Sequence, residues 1–399
     1  MVIHPAALEK RIKRHVRSQQ QRFYVIVPPG FEATACRELA AYDIPAVQED
    51  LGGVAFTGSW EACWKTHHRA RIPARILVRL AQFTCTRFEQ LERHLEAFPW
   101  ELWFQPCQQV AFQVDARQSV LYHEGAIQER AERCVKRRLH PWQAISSETD
   151  SPDGVQTIYL RNVHNQMTVS LDCSGELLYK RGYDKHVADA PLRDNLAAAI
   201  LQEANFSEFD MLIDPMAGSG TFGLEALLAL TERGAGHLRH FAFEYFPAFR
   251  PAAYRYFLNT DVPSRHERPT LRTIVLGDIH DRPITIIHHN LQQLAALGVD
   301  TTQVRVEKAD FFSTGAEFIS GKTLVVMNPP YGTRLKSAQS TRAFFGKIGQ
   351  QLRHNWRGCS FAILAPGTEA ERALALPVAR KIVFSNGGIS TALLMGKIS

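Results

Sequence analysis

Residues 211–228 read Met-Leu-Ile-Asp-Pro-Met-Ala-Gly-Ser-Gly-Thr-Phe-Gly-Leu-Glu-Ala-Leu-Leu. Met211 to Asp214 has the pattern of a short buried strand. A proline and two glycines break it, and the apolar run from Thr221 reads as a buried helix. Strand, glycine turn and helix in that order form the opening unit of a parallel α/β sheet. Ligands of such sheets lie beyond the carboxyl ends of the strands, where this turn sits. Gly218 and Gly220 let the backbone bend sharply and approach a ligand closely. With Gly223 they also have the spacing of the dinucleotide fingerprint, which wants an acidic residue roughly 20 positions further on. Glu244, in His240-Phe-Ala-Phe-Glu, stands near that position. Asp214 argues for a different ligand, because an ionised carboxylate only accepts hydrogen bonds and suits ammonium or hydroxyl donors rather than a pyrophosphate.

Three further strand ends follow. Thr273-Ile-Val-Leu-Gly-Asp ends at Asp278, whose carboxylate can accept both hydroxyls of a ribose; its plainer role is a helix N-cap. Val304-Arg-Val-Glu-Lys-Ala leads to Asp310-Phe311-Phe312. Asp310 can accept from an adenine amino group while Phe311 packs on the ring, although alone it would read as a loop aspartate beside core phenylalanines. Thr323-Leu-Val-Val-Met then stops at Asn328-Pro329-Pro330-Tyr331, where two prolines cannot continue a ladder. The exocyclic amine of a nucleobase is a poor nucleophile, because its lone pair is delocalised into the ring. The Asn328 side-chain oxygen and the Pro329 carbonyl can take both amine hydrogens and favour a pyramidal nitrogen. The prolines hold these acceptors rigid, and preorganisation of that kind is where such catalysis gets its energy. Tyr331 can stack a base that is single-stranded or turned out of its helix. A sulfonium methyl donor across the neighbouring strand ends completes the arrangement, with no metal and no covalent intermediate.

The chain has 399 residues, 45% hydrophobic and 22% charged, with a net charge of +6. That length predicts more than one domain, at roughly 100–200 residues each. No apolar run reaches the roughly 18 residues that suggest a membrane span, and the first residues lack the apolar core of a signal peptide. Seven scattered cysteines read as reduced thiols of a cytoplasmic protein. His67-His68 and His288-His289 lack ligand spacing, and the tryptophans, Trp100 and Trp103 among them, read as core. Basic residues cluster twice. Lys10, Arg11, Lys13, Arg14, Arg17 and Arg22 form a run suited to phosphate contacts. Arg130, Arg133, Lys136, Arg137 and Arg138 are diluted by Glu124, Glu129 and Glu132 and read as a solvated helix face.

Before residue 176 the pattern is α+β. Residues 22–75 alternate strand, helix and strand, and residues 76–172 add further strands, a charged helix and a hairpin turned at 162–166. No catalytic constellation is visible there, which marks a binding module. Tyr179-Lys-Arg-Gly-Tyr-Asp-Lys-His links it to a helix opened by Pro191.

Asp214-Pro-Met-Ala-Gly-Ser-Gly-Thr and Asn328-Pro-Pro-Tyr-Gly-Thr-Arg-Leu resemble motifs I and IV of class I S-adenosylmethionine-dependent amino-methyltransferases. Arg181-Gly-Tyr, Ala190-Pro-Leu-Arg-Asp-Asn-Leu-Ala-Ala-Ala and Ser385-Asn-Gly-Gly-Ile-Ser narrow the resemblance to the THUMP-domain RNA guanine-N2 methyltransferases, especially the RlmL half of the 23S rRNA enzymes. Val110–Asp115, Ser119, His123 and the Ile127–Arg133 helix are similar to the THUMP pattern. The resemblance implies a basic arm over 1–22, a ferredoxin-like domain over 23–75, a THUMP RNA-binding domain over 76–175 and a Rossmann-like, seven-stranded methyltransferase domain over 176–399. It implies that Asp214, Ala217, Gly218, Gly220 and Thr221 line the methionine part of S-adenosylmethionine, that Asp278 holds its ribose, and that Asp310 and Phe311 hold its adenine. Asn328, Pro329, Pro330 and Tyr331 would then meet the target amine. Ala217 stands where the family usually has cysteine, and His280 where it has a second acid. The implied partner is RNA, rRNA before tRNA, with no membrane and no obligate protein partner. DNA adenine-N6 methylation shares the Asn-Pro-Pro-Tyr logic, a nicotinamide oxidoreductase shares the glycine spacing, and an inactive RNA-binding protein is the non-enzyme alternative.

Overall fold

The computed structural model describes residues 4–50, 52–106, 108–139, 154–188, 191–231, 233–261, 270–315, 319, 321–331 and 340–399. They divide into two compact units. The first comprises Met1–Val27, Cys36–Leu178 and Arg239–Val262. Its strands are β1 (Gln21–Ile26), β2 (Gln48–Asp50), β3 (Gly53–Gly58), β4 (Arg75–Thr84), β5 (Val110–Arg117), β6 (Gln156–Val163) and β7 (Gln166–Asp172). They form one sheet in the order β2-β3-β1-β4-β7-β6-β5, antiparallel except for β5 beside β6. The pattern dictates this: β6 alternates buried and half-buried residues along its length. His164 and Asn165, both at positive φ (50° and 61°), make the two-residue turn into β7.

Two features of the packing cross the expected domain boundaries. β4 pairs with β1 over Arg75–Arg79 and with β7 over Leu77–Thr84. The division expected at 75/76 therefore falls on a strand that both blocks share, and the sheet is continuous across it. The segment Arg239–Val262, expected inside the 176–399 domain, belongs to the first unit. The reason is its aromatic content. Phe241, Phe243, Phe246, Tyr254 and Phe257 are buried and pack around Trp60, Trp64 and His67. The expected basic arm is partly structural: the helix Pro5–Ile12 runs into a π-helical turn, Lys13–Arg17, with Ile12 and Val16 buried.

The second unit comprises Pro28–Ala35, Tyr179–Leu238 and Pro263–Ser399. It contains β8 (Met211–Asp214), β9 (Thr273–Asp278), β10 (Val304–Lys308), β11 (Thr323–Met327), β12 (Ser360–Pro366), β13 (Val378–Asn386) and β14 (Ile389–Lys397). Their order is β10-β9-β8-β11-β12-β14-β13. β14 runs antiparallel to both neighbours, and the other pairs are parallel. The helices Thr221–Leu230, Asp281–Ala296 and Thr341–Asn355 alternate with these strands. β8 and β11 are fully buried along their length, as a sheet covered on both faces requires. Successive strands run outward in opposite directions from the β8/β11 boundary, the topological switch point where such sheets bind ligands. Among the described residues no helix is long and apolar enough to cross a membrane.

Candidate active site

The switch point brings two of the sequence motifs together. β8 and β11 pair with Ile213 opposite Val325, so Asp214 and Asn328 follow at the same carboxyl edge of the sheet. After Asp214 the chain turns through Gly218 (φ +56°) and Gly220 (φ +78°), a region that disfavours side chains. The Ala217 N–H donates to Gly277 O at 2.8 Å and the Gly220 N–H to Ala217 O at 2.8 Å, which fixes the loop against the end of β9. Among the described residues no heavy atom lies within 4 Å of where a Gly218 Cβ would stand. Gly223 has the opposite reason for being glycine: a Cβ there would sit 2.5 Å from Leu276 Cδ2, so only glycine lets the helix lie on β9.

Asp278 braces this loop. Its Oδ2 accepts the Gly218 N–H at 3.1 Å and its Oδ1 accepts the His280 N–H at 3.0 Å. Each oxygen keeps acceptor capacity for a hydroxyl. His280 thus contributes its backbone at the position of the expected second acid. Asp214 is only 2% exposed, and its Oδ1 accepts the Met216 N–H at 3.3 Å. Burial pushes its carboxyl up to about 8; the Met216 N–H opposes the shift and the Asp278 charge adds to it.

The pKa of Asp214 is raised in the folded state, so its contribution to stability is complete below the unfolded value of 3.8. It is lost progressively as pH rises from there to about 8, because the unfolded chain ionises first. Melting temperature is therefore expected to fall between pH 5 and about 8 more steeply in the native chain than in Asp214→Asn. Parallel profiles would exclude Asp214 as the source. A ligand bringing an ammonium group binds the ionised form, so its affinity is expected to rise over the same interval.

The structure also recruits residues to which the sequence reading gave no role at the site. Lys185 Nζ donates to Thr221 Oγ1 at 3.2 Å and pairs with Asp194. Asn290, fully buried, donates from Nδ2 to Ser219 O at 3.3 Å and to His186 O at 3.0 Å, and accepts the His186 N–H at 2.8 Å. Behind the loop, Arg181 and Glu225 form a bidentate ion pair at 2.9 and 3.0 Å, with side chains 3% and 1% exposed. Arg181 and Lys185 lie in the polar run at 179–186, Arg181 within the quoted Arg181-Gly-Tyr motif, whereas Glu225 and Asn290 lie inside helices and carried no signal of their own.

Asp310 ends the loop after β10 and accepts the Phe312 N–H at 2.9 Å. Phe311 is placed differently from the expectation. It is 3% exposed and packs 5.9 Å from Trp356 within the core, so its face is not offered to a ligand; Phe312 is the exposed ring, at 37%. Tyr331 is similarly corrected: it is 5% exposed in the same core, and its hydroxyl accepts Asn386 Nδ2–H at 3.0 Å. It buttresses the Asn-Pro-Pro-Tyr turn instead of presenting an open stacking face. This contact gives the Ser385-Asn-Gly-Gly motif, which turns β13 into β14, a place at the site. Pro329 is buried and Pro330 half-buried. The Asn328 Oδ1 is buried and has no hydrogen-bond partner among the described residues. Residues 332–335 and Ala190 of the quoted motifs lie outside the described residues.

Two other candidates lose their chemistry. Glu244 is not at a strand end; it accepts the Phe241 N–H at 2.8 Å and lies 3.2 Å from His240 Nδ1, within the aromatic segment of the first unit. The dinucleotide acid is therefore absent from that position. Asp184, His186 and His289 gather ligand atoms within 4.8 Å of one another. The two imidazoles stack 3.6 Å apart at 16°, so their in-plane lone pairs cannot converge on one ion.

A parallel sheet whose single antiparallel strand lies next to the edge, with a glycine turn after its central strand and carboxylates at the neighbouring strand ends, defines a class I S-adenosylmethionine-dependent methyltransferase. Comparison with known proteins agrees. Residues 181–394, more than half of the chain, match the family model described as RMKL-like, methyltransferase domain, and residues 22–77 match the RlmL ferredoxin-like domain. The chain belongs to the RMKL-like methyltransferase family. A Synechocystis sp. protein that carries a provisional RNA-methyltransferase name is 27% identical over 375 residues, covering 93% of this chain and 95% of that one. The ribosomal RNA large subunit methyltransferase K/L of Syntrophotalea carbinolica is 28% identical over 380 residues, covering 94% of this chain and 53% of that protein. The chain thus spans about half the length of the K/L relatives it matches. The same fold occurs in a provisionally named methyltransferase solved in complex with SAH, with a TM-score of 0.80 at 24% identity, covering 96% of this chain and 99% of that one.

Proposed function

We propose that the protein methylates the exocyclic N2 amine of a guanine in RNA, with 23S rRNA as its substrate and the cytoplasm as its place of action. The observation that carries this is the Asn328 side-chain oxygen. A buried acceptor left without a partner costs about 1–3 kcal/mol, so its retention at the carboxyl edge of β11 is best explained by a donor that arrives with the substrate. An amine bearing two hydrogens is such a donor. Asn328 Oδ1 would accept one and the Pro329 carbonyl the other, drawing the nitrogen toward a pyramidal, nucleophilic geometry while Pro330 and the buried Tyr331 keep the acceptors from moving.

S-adenosylmethionine, when bound, supplies the electrophilic methyl group. The residues at the switch point fit it: Asp214 offers a carboxylate to the ammonium, the open space over Gly218 takes the methionine part beside Ala217, Gly220 and Thr221, and Asp278 offers oxygens to the ribose hydroxyls. Asp310 remains the acceptor for the adenine amine, with Phe312 in place of Phe311 as the ring beside it. The N-terminal unit supports an RNA substrate. Its ferredoxin-like domain is continuous with the strands and helix proposed as a THUMP module, a combination suited to folded RNA recognised by shape and unpaired bases. The rRNA assignment draws on the names of the K/L relatives.

The test is to incubate the full chain with methyl-labelled S-adenosylmethionine and rRNA, tRNA or DNA, and to digest the product to nucleosides. Label in N2-methylguanosine from rRNA is expected. The same nucleoside from tRNA alone would move the substrate, and N6-methyladenine from DNA would overturn the proposal.

A further inference from the structure

We propose that the first unit grips the phosphate backbone of RNA through a composite patch of Lys10, Lys13, Arg14 and Arg250, and not through the basic helix Glu124–Leu139. The proposal rests on the RNA reading above and adds the surface that holds the substrate. In the helix, every clustered cation has an acid beside it: Arg130 with Glu92 at 2.7 Å, Arg133 with Glu129 at 2.8 Å, Lys136 with Glu132 at 3.9 Å, Arg137 with Glu96 at 2.5 Å and Arg138 with Glu101 at 3.2 Å. A polyanion would have to displace those carboxylates, and the face carries little net field.

The N-terminal segment is different. Arg11 is held by Glu101 at 3.0 Å and Arg17 by Glu9 at 2.5 Å. Lys10, Lys13 and Arg14 are exposed and have no acid partner among the described residues. They stand on a fixed base. Ile12 and Val16 are buried, and the π-helical turn Lys13–Arg17, closed by the Ser18 N–H on Lys13 O at 3.0 Å, keeps both anchors inward while Lys13 and Arg14 face solvent.

Arg17 joins a second, distant segment to this base. Its Nε donates to Ala248 O at 2.9 Å and its Nη2 to Pro247 O at 3.3 Å. That places Arg250, also exposed, beside the N-terminal cations. The Glu9 carboxyl registers the neighbourhood: it is held below its usual range first by its hydrogen bond to Arg17, with the charges of Arg250 and Lys13 adding. Lys13 and Arg250 thus stand near an acid already paired with Arg17, and Lys10 and Arg14 share the exposed N-terminal segment. Flexible point charges of this kind contact phosphates without reading sequence.

The test titrates a labelled rRNA hairpin with the full chain at several salt concentrations. It uses the native chain, a variant with Lys10, Lys13, Arg14 and Arg250 each changed to Gln, and a charge-balanced control with Glu129, Glu132, Arg133 and Lys136 each changed to Gln. Each phosphate contact contributes about 0.7–0.9 to the slope of log K against log salt, so the patch variant is expected to lose roughly three units of slope and about tenfold or more in low-salt affinity. S-adenosylmethionine affinity is expected to stay unchanged, and the control to match the native chain. Native RNA binding with an unchanged slope in the patch variant overturns the patch and leaves the RNA reading standing. A loss of slope in the control also overturns it. Failure of the native chain to bind RNA removes the RNA reading itself, and the patch with it.

Discussion

Replacing Asn328 by Ala is expected to lower the rate of methyl transfer by about 10²–10³-fold, the cost of removing one preorganised polar group from a developing charge. The measured quantity is single-turnover methylation with saturating S-adenosylmethionine. Cofactor affinity should change by no more than a few-fold, because Asn328 follows β11 and the glycine loop follows β8. The same substitution has an unusual expected effect on stability. Its Oδ1 is buried without a partner among the described residues, so deleting it removes an uncompensated polar atom, and the melting temperature should hold or rise. Loss of activity together with loss of fold would instead mark Asn328 as a structural residue, and turnover at the native rate would refute the acceptor role.

Replacing Arg181 by Met should destabilise the second unit by about 3–5 kcal/mol, the usual cost of removing one member of a buried ion pair. Solvent screening offers no relief, since both side chains are almost wholly buried. Urea unfolding followed by tryptophan fluorescence reads the loss through Trp356, the described tryptophan of that unit. Arg181→Met with Glu225→Leu should recover much of it, because an apolar pair of similar volume is often neutral or better. If the single variant costs less than about 1 kcal/mol, the pair contributes no more than an exposed one.

These expectations show what the chain discloses on its own. The strand ends at Asp214, Asp278 and Asn328 were legible because each couples an apolar run to a residue that stops it. Burial pattern and turn chemistry there point the same way. Phe311 and Tyr331 were misplaced for a common reason. An aromatic residue beside a site is equally compatible with a ligand and with a core, and only the packing around Trp356 and the tether from Asn386 decides. Lys185, Arg181 and Asn290 were missed because their partners lie many residues away and leave no local period. The excursion at 239–262 was invisible for the same reason: its aromatics declare a need for burial without naming the core that meets it.

That excursion constrains how the protein is made. The N-terminal unit lacks Phe241, Phe243 and Tyr254 until residues 239–262 have been synthesised, although its sheet is complete at Asp172. In the interval Trp60 and Trp64 have no aromatic partners from that segment. A nascent chain of some 240 residues therefore holds a finished sheet with an open apolar flank, a state in which contacts with other chains compete with folding. Synthesis is in effect a race to residue 262, and slowing translation just before it should lower the soluble yield more than the same pause placed after it.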